Sequence, residues 1–255
     1  MPSQTEEFGR WHIFETADAV ADHTAEWLCA LACAQDGELA ICLSGGSTPR
    51  SLYERLSNPA YVSRIPWSRI HWFWGDERFV PYNDPASNYR MAYDALFSHV
   101  PISKDRLHPI PTEGLSPVQA AANYQALLQR FNANKRWGVG QSIFDLTLLG
   151  VGEDGHTASL FPGSVSLLEN KQWVLAVVSK KNEARITLTY PALNSSRDLA
   201  FLVTGANKKN ILTEIRAGNT ALPAARIRPI GRLDWFVDRA AWEEPSFVHD
   251  QFKGS

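Results

Sequence analysis

Hydrophobic positions follow two patterns along the chain, one with helical spacing and one of short apolar runs. Residues 17–34 carry apolar side chains three or four positions apart, which predicts an amphipathic helix, whereas residues 39–43 form a short apolar run typical of a buried strand. The same patterns predict further helices at about 49–56, 89–97, 117–131 and 208–215, and strands at 70–74, 143–149, 173–178 and 234–237. The segments 185–189 and 199–204 are predicted to pair with each other.

Strands that alternate with helices predict an α/β fold with right-handed crossovers, a mainly parallel, doubly wound sheet and helices on both faces. No internal repeat, low-complexity tract or linker interrupts the order, so we expect a single domain over residues 1–255. The segment 79–88 is rich in Pro, Asn and Asp and is expected to be a loop near the functional site.

Composition narrows the function classes. The 255 residues are 44% hydrophobic and 20% charged, with a net charge of −2, which argues against nucleic acid or an anionic membrane as partner. No apolar stretch approaches the roughly 18 residues of a transmembrane helix, and the polar, acidic start (Met1 to Glu7) is unlike a secretory signal, so the cytoplasm is the expected location. Cys29, Cys33 and Cys42 are too few and too irregularly spaced for a disulfide framework, and Cys29 and Cys33, one helical turn apart, predict buried thiols on a helix face rather than a metal site.

The string Ser44-Gly-Gly-Ser-Thr-Pro49 directly follows a predicted strand and has the features of an anion-binding loop. Glycines let backbone N–H groups converge on an anion, and Ser47 and Thr48 add hydroxyl donors. We expect Thr48 to be the N-cap of the next helix, with Pro49 at its first position. A phosphate ester would fit this loop. A plain strand-to-helix turn is the alternative. Because the lysine and the glycine spacing of a Walker A loop are missing, the motif does not indicate nucleoside triphosphate hydrolysis.

A second loop follows the strand at 143–149 and reads Gly150-Val-Gly-Glu-Asp-Gly-His156. It delivers Asp154 and His156 to the carboxyl end of a parallel strand, where open α/β sheets bind their ligands. Because an imidazole is about half-deprotonated near neutral pH, His156 suits a general base. The glycine spacing also matches a dinucleotide fingerprint, but Phe161-Pro-Gly163 would interrupt the long helix that such a site needs.

Several basic residues lie near predicted strand ends or helix starts, where a phosphate would be bound: Arg50, Arg78, Arg185, Lys208 and Lys209. For each one alone, a solvated surface role is the more common outcome. Lys208 stands out because Gly205-Ala-Asn-Lys208 repeats the strand-loop-helix placement of the first loop, and Arg78 because it adjoins Asp76 and Glu77 after a strand.

Together these motifs closely resemble the 6-phosphogluconolactonase family, within the larger glucosamine-6-phosphate isomerase/deaminase-like group. The matching segments are Leu43-Ser-Gly-Gly-Ser-Thr-Pro49, Trp74-Gly-Asp-Glu-Arg78, Ser87-Asn-Tyr89, the block from Leu149 to Gly163, Arg185-Ile-Thr-Leu-Thr189 and Gly205-x-x-Lys208. Within the histidine block, Thr157-Ala-Ser-Leu-Phe-Pro162 follows the lactonase pattern rather than the deaminase pattern.

The resemblance implies a Rossmann-like, sugar-phosphate-isomerase-like fold and hydrolysis of 6-phospho-D-glucono-1,5-lactone, the second step of the oxidative pentose phosphate pathway. It implies His156 as general base, with Asp154 or Asp76 orienting the imidazole or contacting sugar hydroxyls, and no metal or cofactor. The phosphate and sugar pocket would contain Ser44, Gly45, Gly46, Ser47, Thr48, Arg50, Arg78, Arg185 and Lys208. An amino-sugar-phosphate isomerase or deaminase, and a non-catalytic sugar-phosphate sensor, are the alternatives. The partner is a small phosphorylated lactone, and a monomer or a small homo-oligomer is compatible with the sequence.

Overall fold

A computed structural model describes residues 8–134, 142–179 and 182–243, and the polar start Met1 to Glu7 lies outside this part. The strands are β1 (Arg10–Phe14), β2 (Leu39–Leu43), β3 (Ile70–Trp74), β4 (Asp76–Arg78), β5 (Leu107–His108), β6 (Phe144–Leu149), β7 (Val174–Val178), β8 (Ala184–Leu188), β9 (Ser196–Val203) and β10 (Arg232–Asp238). The helices are α1 (Ala17–Cys33), α2 (Ser47–Leu56), α3 (Pro59–Val62), α4 (Asn88–Ala95), α5 (Pro117–Asn134), α6 (Tyr190–Asn194) and α7 (Lys209–Arg216). None of the helices in these ranges is long and apolar enough to cross a membrane.

The main sheet of the described chain has seven parallel strands in the order β1-β10-β9-β6-β2-β3-β5. This confirms the predicted α/β architecture. Residues in register on parallel strands point to the same face, and the register places Phe73 and Phe236 on opposite faces. Phe131 of α5 packs on Phe73, whereas Trp27 of α1 packs on Phe236. Helices therefore cover both faces of the sheet.

A smaller antiparallel sheet has the order β4-β8-β7. The predicted pairing of segment 185–189 with 199–204 is wrong, because β8 pairs with β4 and β7 while β9 lies in the main sheet between β10 and β6. Because they lie in different sheets, β9 and β8 differ in how far their side chains are buried. The five residues from Leu199 to Val203 are all buried, as a central parallel strand requires, whereas β8 begins with the partly exposed Ala184 and Arg185.

The order of strand connections reverses between β2 and β6. From β2 the chain continues outward to β3 and β5, and then returns to β6 on the other side of β2 and continues to β9 and β10. Such a reversal opens a crevice at the carboxyl ends of the two strands. Here the ends are Leu43 and Leu149. Leu43 leads into residues 44–46, called the glycine loop below, and Leu149 leads into residues 150–163, called the histidine loop.

The first strand, β1, forms an edge of the main sheet against the last strand, β10. Their register runs from Arg10 opposite Asp234 to Phe14 opposite Asp238. Arg10 Nη2 donates to Asp234 Oδ2 at 2.9 Å, and His12 Nε2 lies 2.8 Å from Asp234 Oδ1. The two chain segments are thus joined by backbone pairing and by a buried carboxylate.

Candidate active site

The histidine loop is a tight turn after β6, closed by a hydrogen bond from Gly152 N to the His156 carbonyl at 2.8 Å. The Asp154 Oδ1 atom lies 2.6 Å from His156 Nδ1 and accepts from the His156 backbone N–H at 3.2 Å. A carboxylate only accepts, so the Nδ1 atom carries the proton and Nε2 presents its lone pair. Within the described residues Nε2 has no hydrogen-bond partner, so the imidazole is oriented to accept a proton.

Two neighbours restrict where the His156 ring can lie. An ideal Cβ on Gly152 would be 2.0 Å from Nδ1, so only glycine leaves room for the ring at this place. On another side, the Phe161 ring centre is 5.0 Å from the centre of the imidazole. The sequence motif therefore encodes the position of the histidine as well as its identity.

Asp76, the second candidate acid, does not contact the imidazole. Its buried carboxylate accepts a hydrogen bond from Ser159 Oγ at 2.6 Å and one from Asn88 Nδ2 at 3.3 Å. Ser159 belongs to the histidine loop, so Asp76 holds that loop against β4. Of the two acids left open by the sequence, Asp154 is the one in a position to orient His156.

Asn88 lies in the site although sequence reasoning did not select it. Its Nδ2 donates to the Asp76 carbonyl at 2.9 Å, and its Oδ1 accepts from Arg78 Nη1 at 2.8 Å. Its backbone N–H is bound by Glu77 Oε1 at 2.7 Å. Burial raises the pKa of this glutamate, while its hydrogen bonds from backbone N–H groups act in the opposite direction. The only sequence signal for Asn88 is its place in the Ser87-Asn-Tyr89 segment of the family resemblance.

Arg78 and Arg185 face each other across β4 and β8. Arg78 Nη1 also donates to the Ala86 carbonyl at 2.7 Å, and Arg185 Nη2 binds Glu183 at 3.0 Å. In both guanidinium groups the Nε atom is buried without a hydrogen-bond partner in the structure. Two adjacent guanidinium groups with unused donors favour an anion. Arg185 also lies over Phe161, with 6.0 Å from its Cζ to the centre of the ring that also contacts His156.

The glycine loop leads into α2, which begins at Ser47 with Gly46 as N-cap at φ +107°. The prediction of Thr48 as N-cap is wrong, because the helix starts two residues earlier than predicted, and Thr48 Oγ1 instead bonds to Thr204 Oγ1 at 2.7 Å. No side chain caps this helix, so its first N–H groups remain available to an anion. The first residue of the loop, Ser44, is held in place by the Tyr53 hydroxyl of α2. This hydroxyl accepts from the Ser44 backbone N–H and donates to the Ser44 carbonyl.

Lys208 lies in the equivalent turn after β9, which begins at Gly205 with φ +97°. Within the described ranges its ammonium has neither a hydrogen bond nor an ion pair. Thr204 joins this turn to α2, and Asn207 Nδ2 donates to Glu153 Oε1 of the histidine loop at 2.6 Å. Lys208 is therefore at the junction of the glycine loop and the histidine loop.

Arg50 is separated from this group. Its Nε donates to Glu54 at 2.9 Å, and its side chain is 63% exposed. It lines an open groove of about 420 Å³ between α2 and α4, together with Arg90 and Asp94. The spacing of Arg50 and Glu54, four residues apart on one helix, is the sequence signal for this surface ion pair.

No group of three or more His, Cys, Asp and Glu residues in the described parts of the chain is arranged to hold a metal ion. What the site does offer is a carboxylate–imidazole pair beside an uncapped helix start, a lysine and two arginines. This combination suits proton transfer next to a bound anion.

Comparisons with known proteins agree with this chemistry. Residues 14–235 match the family model described as glucosamine-6-phosphate isomerases/6-phosphogluconolactonase. A 6-phosphogluconolactonase from Synechocystis is 42% identical over 215 residues, which is 83% of this chain and 87% of the relative. The crystal structure of a 6-phosphogluconolactonase from Thermotoga maritima is similar with a TM-score of 0.77 and 31% identity, covering 90% of this chain and 99% of that one.

The fold alone does not separate the two activities of the family. A monomeric glucosamine-6-phosphate deaminase has a TM-score of 0.78 and covers 91% of this chain and 98% of its own, at 18% identity. Its backbone is thus as similar as that of the Thermotoga lactonase. The distinction depends on the residues of the site.

Proposed function

Because the chain belongs to the glucosamine-6-phosphate isomerase/6-phosphogluconolactonase family, we propose that it hydrolyses 6-phospho-D-glucono-1,5-lactone to 6-phosphogluconate, the second step of the oxidative pentose phosphate pathway. The observation that carries the proposal is the His156–Asp154 pair, with the free Nε2 atom beside a set of anion-binding groups. The lactone is an activated ester, so the hydrolysis requires a base, a bound water and stabilisation of charge, but no covalent intermediate.

In the proposed mechanism, His156 Nε2 removes a proton from a water molecule while the water oxygen attacks the lactone carbonyl carbon. Asp154 stabilises the imidazolium that forms. The tetrahedral intermediate then collapses, the bond from the carbonyl carbon to the ring oxygen breaks, and the imidazolium returns its proton to that oxygen. General-base assistance of this kind accelerates a reaction about 10²–10⁴-fold.

The phosphate of the substrate is assigned to the start of α2 and to Lys208. Backbone N–H groups of the uncapped helix and a lysine without a partner both favour a dianion. Arg78 and Arg185 provide the remaining positive charge, which is available to the phosphate and to the oxyanion of the intermediate. Asp76 supports these groups from the buried side, because its carboxylate accepts from Ser159 and so holds the histidine loop against β4.

The test compares the rate of lactone hydrolysis with and without the protein, using freshly prepared substrate because such lactones also open spontaneously. We expect an excess rate that scales with protein concentration, and no release of ammonia from glucosamine 6-phosphate. Ammonia release without an excess rate of lactone hydrolysis would instead assign the deaminase activity. The carboxylate after the histidine loop that the deaminase pattern contains is missing here.

We also propose that the protein acts in the cytoplasm and that its partner is a small molecule and not a nucleic acid. The net charge of −2 and the likeness to bacterial relatives support both statements. Fractionation of cells that carry a tagged chain, and gel-filtration of the purified protein, give the location and the oligomeric state.

A further inference from the structure

Asn88 connects three parts of the site that come from distant segments of the chain. Its amide binds Asp76 through Nδ2 and Arg78 through Oδ1, and its side chain lies against Gly45 of the glycine loop. The residue is only 2% exposed, and both ends of its amide are engaged. It therefore fixes the distance between the groups assigned to the phosphate and the groups near the lactone.

The contact with Gly45 explains why a glycine stands there. An ideal Cβ on Gly45 would lie 2.0 Å from Asn88 Oδ1, 2.4 Å from its Cγ and 2.8 Å from its Nδ2. The neighbouring Gly46 has φ +107°, which disfavours other residues, whereas Gly45 is not among the glycines with positive φ. The backbone at Gly45 would thus accept alanine, and the Asn88 amide is the obstacle.

Arg78 depends on Asn88 for its orientation. Its Nη1 donates to two acceptors, Asn88 Oδ1 and the Ala86 carbonyl, while its buried Nε has no partner in the structure. If the Asn88 amide is removed, Arg78 Nη1 keeps only the Ala86 carbonyl as acceptor, and the space next to Gly45 becomes empty. The guanidinium group could then rotate away from the position in which it faces Arg185.

Resting on the proposed function, we infer that Asn88 is a positioning residue, which acts by holding the Arg78 guanidinium group and the Gly45 loop in the arrangement that binds the substrate. Asn88 itself need not touch the substrate. The inference makes Gly45 and Asn88 one unit, because the space that Gly45 leaves open is filled by the Asn88 amide.

The experiment measures kcat, KM and the inhibition constant of 6-phosphogluconate for Asn88→Ala, Arg78→Ala and the double variant. We expect each single change to raise KM and the inhibition constant about tenfold. Arg78→Ala removes a charged hydrogen-bond donor to the substrate, and Asn88→Ala removes the acceptor that holds this donor in place. The combined effect in the double variant should be clearly smaller than the product of the two single effects, since Asn88 acts partly through Arg78 and partly through the Gly45 loop. Effects that multiply, or an inhibition constant that stays unchanged in Asn88→Ala, would overturn the inference.

A second arm uses Gly45→Ala. In the wild-type background this change should weaken binding of 6-phosphogluconate, because its Cβ must displace the Asn88 amide. In the Asn88→Ala background the same change should have no further effect, whereas Gly46→Ala should weaken binding in both backgrounds because of its φ of +107°. If Gly45→Ala costs the same in both backgrounds, Gly45 and Asn88 do not act as a unit and the inference is wrong.

Asn194→Ala is the matched control for lost stability. Asn194 Oδ1 accepts from Arg228 N at 2.8 Å, in a part of the chain that contributes nothing to the site. Loss of this hydrogen bond in Asn194→Ala should lower the midpoint of thermal unfolding without changing the affinity for 6-phosphogluconate. Binding of 6-phosphogluconate is measured directly by calorimetry, so Asn88 is tested even if the protein shows no excess rate of lactone hydrolysis, a result that would contradict only the proposed function.

Discussion

Replacing Asp154 with Asn separates the orienting role of this carboxylate from the proton transfer by His156. The Asp154 carboxylate lies 2.6 Å from His156 Nδ1 and receives a charge-assisted hydrogen bond when the imidazole is protonated in the transition state. Such a bond is worth about 1.5–3 kcal/mol when it is well shielded. Both side chains are about one-third exposed, with 34% and 32% of their surfaces accessible, so solvent screens the pair.

With this discount we expect Asp154→Asn to cost about 1–2 kcal/mol in the transition state, or about 5- to 30-fold in turnover at saturating substrate. His156→Ala removes the base itself and should lower turnover by about 10²–10⁴-fold. KM should change little in either variant, because neither residue is assigned to the phosphate.

The assay follows proton release from the lactone in a weak buffer with a pH indicator, after subtraction of the spontaneous rate. Glu169→Gln is the control, since this exposed carboxylate binds backbone N–H groups of the turn that follows it, among them those of Lys171 and Gln172. Turnover that survives Asp154→Asn but disappears in Asp76→Asn would refute the assignment. The base would then depend on the buried carboxylate of β4.

Three further predictions concern the anion site, metal ions and acid stability. Lys208→Ala should raise KM about tenfold or more, as loss of a charged hydrogen bond implies, while the surface change Arg50→Ala should leave KM as in the wild type. Activity should survive prolonged treatment with EDTA, and a loss that a divalent ion restores would contradict the metal-free mechanism. His71 Nδ1 and His108 Nε2 are 2.8 Å apart, and burial and the neighbouring His71 lower the pKa of His108 to about 4 from an ordinary 6.5. Because the unfolded chain takes up this proton first, the free energy of unfolding should fall as the pH drops from about 6.5 towards 4, and denaturant titrations of His108→Gln should show a shallower fall than the wild type.

The buried elements could be predicted from the sequence because their apolar pattern is local. The strand Ile70–Trp74 and the extents of α1 and α5 follow from spacing alone. The short strands β4 and β5, with three and two residues, have too few positions to show a period. The pairing of β8 was missed because strand partners are set by tertiary contacts, although the uninterrupted apolar run in β9 already indicated a central strand.

Among the site residues, too, contacts within one loop could be predicted from the sequence, whereas contacts between distant segments could not. His156 and Asp154 are two positions apart in one loop, so their contact follows from the local turn. Only the structure shows that Asp76 accepts a hydrogen bond from Ser159 and none from the imidazole. For Asn88 the family resemblance of Ser87-Asn-Tyr89 is a signal, but nothing near it in the sequence indicates that its amide lies on Gly45.

The pairing of β1 with β10 has a consequence for how the protein is made. Arg10 and Asp234 are 224 residues apart, so the ribosome delivers β1 long before the strand that completes it. At about 5–20 residues per second, β1 spends roughly 10–45 s without its partner while the rest of the sheet emerges. In the last part of that interval, from the synthesis of β9 until that of β10, the edge of β9 that β10 later covers also remains open to other strands. The yield of folded protein should therefore depend on the concentration of nascent chains and on chaperones that shield these edges until synthesis passes residue 238.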